Sequence, residues 1–242
     1  ADRPGLARAA HGAFGTAMWL ILPVACIGQA IAPGVVAVTL GPSADLVSVE
    51  RTALLLRLLL LAVPAMAATA VFARLCYSVG DTRGPVGAAL VGVAVMLATQ
   101  SILAPAVGLG SLAAGVAIGE WIECGLLMAR VRSRVDGPTI SGFLSGVPMC
   151  TLLSVGAAAL AFVIVALGSA LGVSRDWLSS AFVTMAAGGA SLVAYLSGTA
   201  LVGLQVAGPI VRRVSRIAPL LNRLAARSEE HTSELQSLRH LV

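Results

Sequence analysis

Six long apolar runs, each close to the length that crosses a bilayer, constrain this chain more than any other feature. They lie at 12–31, 52–77, 86–103, 109–130, 147–171 and 177–204. A membrane-spanning helix needs about 20 mainly apolar residues. Lipid offers the backbone no hydrogen-bonding partner, so such runs must be helical where they cross. The expected fold is therefore all-α, a polytopic transmembrane helix bundle with six spans. Composition excludes the soluble alternative: 58% of residues are hydrophobic and 11% charged, with mean hydropathy +0.94. A soluble domain carries about 25% charged residues, and none of these runs has a charged face to turn toward water. The second and sixth are long enough to tilt or to extend past the bilayer. The apolar piece 33–40 is too short to cross and is expected at the interface. Ser43 is expected to cap the second helix. Pro23 and Pro64 fall inside spans, where neighbouring helices can take up the carbonyls that proline frees.

Orientation follows from arginine, since the chain has no lysine. One side of the six spans holds Arg3, Arg8, Arg74, Arg83, Arg130, Arg132, Arg134, Arg212, Arg213, Arg216 and Arg223. The other holds Arg51 and Arg175, beside Asp45, Glu50 and Asp176. Short loops rich in arginine stay cytoplasmic, so both ends and the loops around Asp81 and Asp136 are expected there. The basic segment 209–226 reads as an amphipathic helix lying on anionic headgroups. No aromatic platform or folded basic domain accompanies it, so no nucleic-acid partner is expected.

Ionisable groups are costly inside a bilayer and mark candidate sites. Glu120 sits near the middle of the fourth span, and Glu123 follows one turn later on the same face. Together facing a watery cavity they could hold a proton or cation; the bland alternative is a polar contact between helices. Arg57, about two turns into the second span from the outer side, is a candidate partner by depth. Gln100, flanked by Thr99 and Ser101, and Gln29 read as interhelical hydrogen-bonding groups. The Gly115-x-x-x-Gly119 spacing permits close helix approach but is frequent in any Ala/Gly-rich span. Cys26, Cys76, Cys124 and Cys150 are scattered through apolar runs without metal-ligand or disulfide spacing, and His11 stands alone. No phosphate loop, nucleophile–base set or metal cluster appears. An intramembrane enzyme is therefore not expected, nor a metal site.

The chain begins at Ala1 without an initiator Met or signal-peptide pattern, and an upstream part is expected to be missing. Residues 227–242, RSEEHTSELQSLRHLV, change abruptly in composition. They resemble the in-frame translation of a common sequencing-library adapter and are expected to be an artefactual tail. Their His and Glu residues are not read as a site.

The stretch 73–86, ARLCYSVGDTRGPV, joins the second and third spans. Gly80 and Pro85 break the helices, Asp81 and Thr82 can cap the next one, and Arg83 can meet headgroups. This stretch resembles the A-x-x-F-Y-A-x-G-D-T-R-T-P-V junction of the MurJ/MviN lipid II flippases, within the group of multidrug, oligosaccharidyl-lipid and polysaccharide exporters. The surroundings agree in order. Leu22-Pro23 and Ala32-Pro33-Gly34-Val35 resemble the preceding family helix and its end. Leu103-Ala104-Pro105 followed by Gly110-Ser111-Leu112-Ala113 resembles the next turn, and Glu120-Trp121-Ile122 stands in place of an A-W-V segment.

The resemblance covers about residues 12 to 216 and implies the last six of the family's fourteen helices. It divides the chain into 1–135, four spans of the second flippase lobe; 136–208, two further spans lining a lipid groove; 209–226, the basic interfacial helix; and 227–242, the tail. It implies a flippase in the bacterial cytoplasmic membrane that moves lipid II, the undecaprenyl-linked peptidoglycan precursor, by alternating access. The implied partners are lipid II or a related glycolipid, membrane lipids and the missing first lobe of the same protein. No cofactor is implied, and coupling to the membrane potential or to a cation stays open. The family's cavity arginines lie mostly ahead of this segment and are not transferred. Met96, Gln100 and Val116 stand where some members ligate a cation, so a family-type sodium site is not expected. Glu120 and Glu123 are additions that could serve coupling. The alternatives are a polysaccharide-repeat or multidrug exporter of the same group, or a membrane scaffold without transport.

Overall fold

The computed structural model describes residues 3–134, 146–172 and 177–202; the readings for 209–226 and 227–242 lie outside the described residues. Within them are six helices, α1 (Arg3–Leu40), α2 (Leu46–Ser78), α3 (Arg83–Val107), α4 (Gly110–Arg134), α5 (Val147–Ala170) and α6 (Trp177–Leu201). Each contains a stretch long and apolar enough to cross a membrane. The all-α, six-span expectation holds.

The helices do not pack in chain order. α4 lies between α3 and α2, α2 packs on α1, and α1 packs on both α5 and α6, which pair with each other. The buried seams are built mainly from small residues: Ala32, Ala65, Ala161, Ala187, Ser154 and Ser191 are fully enclosed. Large side chains such as Leu90, Ile102, Phe182 and Met185 remain outside, at 68–80% exposure. This inverts a soluble core. In lipid there is no hydrophobic drive between helices, so small residues that let backbones approach define the contacts. Gly28 against Leu60, Gly34 against Thr184 and Gly168 against Val183 are positions where an added Cβ would crowd the neighbouring helix.

Two local expectations are corrected. Segment 33–40 is the last part of α1, not a separate interfacial piece. Proline in a helix removes one N–H and frees the carbonyl four residues earlier. For Pro33 that carbonyl belongs to Gln29, and Arg57 of α2 donates its Nε to it at 3.0 Å. The helix therefore continues until Gly41, whose φ of +87° suits only glycine. The cap of α2 is Asp45, not Ser43: Asp45 is extended, and its Oδ2 accepts from the Ser48 N–H at 3.1 Å.

The expectation for Pro23 is met in the same way. The freed carbonyl is that of Trp19, and the Tyr195 hydroxyl of α6 donates to it at 2.8 Å. At Pro64 the freed carbonyl is that of Leu60, and the Trp121 indole of α4 donates instead to the next one, Leu61, at 3.0 Å.

Candidate functional site

The junction between α2 and α3 is a connected polar feature, held by backbone and side-chain hydrogen bonds. Gly80, at φ +79°, ends α2. The Asp81 N–H donates to the Cys76 carbonyl at 2.9 Å and the Gly80 N–H to the Tyr77 carbonyl at 3.0 Å. That pair of bonds is the glycine-terminated ending that satisfies the last helical carbonyls. Asp81 then works twice. Its Oδ1 accepts from the Gly84 N–H at 2.9 Å, and its Oδ2 accepts from Arg130 Nε of α4 at 2.9 Å. Thr82, expected to share the capping, makes no side-chain cap. A Cβ on Gly84 would come within 2.8 Å of Asp81 Oδ2 and 3.0 Å of Arg130 Nε, so glycine there leaves room for the pair. Pro85 is buried in the first turn of α3, where its missing N–H costs nothing. Arg83 points outward, exposed.

Glu120 and Glu123 lie on the inner side of α4. Glu120 is seven residues from both Ala113 and Leu127, which are buried, and so falls in the same stripe. Glu123 packs on α3, where a Cβ on Gly92 would lie 3.1 Å from both Glu123 Cβ and Oε2. Below it, a Cβ on Gly119 would stand 2.8 Å from the Gly92 carbonyl oxygen, and one on Gly115 would stand 2.7 Å from Gln100 Cγ. The glycine spacing that carried little weight in the sequence is thus the α3–α4 contact itself. Its partner, Gly92 on the facing helix, was not singled out. Gln100 fills this seam by packing; among the described residues it makes no hydrogen bond to another helix, contrary to expectation.

Arg57 does not pair with Glu120. Its Nε is taken by the Gln29 carbonyl, and Gln29 Nε2 donates back to the Arg57 carbonyl at 2.8 Å. The interhelical role expected for Gln29 holds. An apolar cavity of about 460 Å³ opens beside this exchange, bounded by Leu22, Ala25, Cys26 and Gln29 of α1, Leu60 and Pro64 of α2, and Trp121 of α4. A second apolar groove, about 620 Å³, runs between α5 and α6 along Leu167, Leu171, Phe182 and Val183. Three contributors escaped sequence reading: Arg130, Gly92 and Tyr195. Arg130 was legible in part, as a cation on the same membrane side as Asp81.

Among the described residues no group of His, Cys, Asp and Glu is placed to hold a metal. What the arrangement offers is an ion-paired junction at one end, two half-buried carboxyls without a cationic partner among the described residues, and apolar grooves. A family model described as lipid II flippase MurJ matches residues 2–188. No curated protein and no solved structure matches the chain.

Proposed function

The chain belongs to the MurJ lipid II flippase family, and on that premise we propose that it supplies the last six helices of a flippase carrying the undecaprenyl-linked peptidoglycan precursor outward by alternating access. It is a multi-pass membrane protein and a transporter rather than an enzyme. The proposed setting is the bacterial cytoplasmic membrane, with the α2–α3 junction and both ends on the cytoplasmic side, as the arginine distribution favours.

The family match carries the reading. It extends through α5 into α6, helices that a twelve-helix polysaccharide or drug exporter lacks. In this scheme α1 to α4 close the second lobe, and the apolar groove between α5 and α6 keeps the isoprenoid tail out of water, exposure to which would cost about 0.8 kcal/mol per methylene. Glu120 and Glu123 are the groups proposed to couple transport to a proton or cation, with Gln100 lining their seam. Arg57 serves the helix pairing described above.

Depletion of the flippase in growing cells is the test. Lipid II is expected to accumulate on the cytoplasmic face of the membrane; an unchanged distribution between the two faces would count against the reading.

A further inference from the structure

Two prolines ten positions apart in α1 free two carbonyls, and each carbonyl is held by one side chain from a different helix. Tyr195 of α6 holds Trp19, four residues before Pro23, at 2.8 Å. Arg57 of α2 holds Gln29, four residues before Pro33, at 3.0 Å. We propose that Tyr195 and Arg57 are positioning residues that latch α1 at two proline hinges, and that α1 bends when they let go. The latches stand on this geometry alone; their use in a transport cycle rests on the flippase reading.

Three observations support the assignment. First, α1 is the helix that packs both on α2 and on the α5–α6 pair. Motion of one side of the bundle against the other passes through it, and the latches face those two sides separately. Second, the stretch of α1 between the prolines borders the cavity of about 460 Å³ through Ala25, Cys26 and Gln29. A bend toward the cavity has open space to enter, and the close contact it must shift is that of Gly28 with the Leu60 side chain. Third, each freed oxygen is held by one side chain, and at the second latch the Gln29 amide returns a bond to the Arg57 carbonyl. Tyr195 is 2% exposed with its ring against Trp19, centroids 6.2 Å apart, so its hydroxyl needs an acceptor. A hydrogen bond of this kind opens at modest net cost, which keeps the open state a minor population that binding can select. The Trp121 bond in α2 differs, since Leu61 is not the carbonyl that Pro64 frees.

The mechanism makes a specific genetic demand. Replacing Pro23 by alanine restores the N–H that fills the Trp19 carbonyl, so Tyr195 becomes dispensable there. The test uses the full-length protein with fluorinated tryptophan in lipid nanodiscs, comparing wild type, Y195F, P23A and P23A/Y195F by fluorine NMR of Trp19. Y195F is expected to raise the minor Trp19 population about fivefold, the loss of one hydrogen bond. P23A/Y195F is expected to fall back to the level of P23A. A Y195F spectrum with wild-type populations, or a double variant as heterogeneous as Y195F, overturns the latch. If Y195F folds poorly, R57M against P33A/R57M poses the same question through Trp177, which donates to the Ala37 carbonyl in the last turn of α1. Lipid II flipping is measured on the same samples. Absent flipping in the wild type with rescue intact sinks the flippase reading and spares the latch; flipping with failed rescue does the reverse.

Discussion

Arg130 reaches from α4 to Asp81 in the turn between α2 and α3, Nε to Oδ2 at 2.9 Å, and Asp81 is the more buried of the two, with 12% of its side chain exposed against 41%. The pair ties three helices at one end of the bundle. Isolated surface ion pairs contribute little, but Asp81 also holds the first turn of α3 through Gly84.

Loss of Asp81 should therefore cost more than loss of Arg130. D81A removes the cap and the ion pair together, whereas R130A leaves the cap in place. Thermal unfolding in detergent should rank wild type above R130A and R130A above D81A, with R130A/D81A no worse than D81A. Equal single effects contradict the dual role.

The α3–α4 seam should not tolerate a methyl group. In G119A the new Cβ meets the Gly92 carbonyl oxygen, a backbone atom that cannot rotate away. The expected loss is about 1–3 kcal/mol, as for overpacking elsewhere. Gly125 of the same helix has nothing within 4 Å of its would-be Cβ, so G125A should be neutral or stabilising. Chemical unfolding of the two variants side by side checks the contrast.

How far this was legible in the sequence differs from feature to feature. Span number and helical class follow from apolar length alone, because lipid leaves no other option for the backbone. The glycine stop at Gly80 was also readable, since glycine is the residue that enters the left-handed region at little cost. The partner of Arg57 was not. Depth along a helix can be counted, but the direction a side chain takes depends on which helices are neighbours, and α4 lies between α2 and α3 against chain order. Pro33 misled for a related reason. A proline reads as a break, and what cancels it here is the Arg57 side chain of another helix. Gly115 and Gly119 could not be weighed until Gly92 was seen opposite them.

Asp45 predicts an acid-sensitive helix start. Its bonds with Ser48, through side chain and backbone, hold its carboxyl below the usual carboxylate range. A carboxyl lowered by folding stabilises fully above its unfolded value, and that contribution fades as pH falls through the lowered folded value. D45A should unfold at a lower temperature than wild type near neutral pH, and the gap should narrow at acidic pH. A gap independent of pH contradicts the cap.

Glu120 is the sharper of the two carboxyl candidates, lying in the buried stripe of α4. E120Q keeps its shape and removes its charge. If the pair couples transport to a proton or cation, E120Q and E123Q should each slow lipid II movement about tenfold or more and flatten its dependence on pH. Rates that match wild type across pH leave these residues as packing groups only.

Transport of lipid II by the full-length protein in proteoliposomes addresses the central reading most directly. Labelled lipid II placed in one leaflet should become accessible in the other at a rate that depends on the protein and falls in E120Q, while the 242-residue chain alone should leave it in place, lacking the other half of an alternating-access pair. Leaflet exchange no faster than in protein-free vesicles would contradict the assignment.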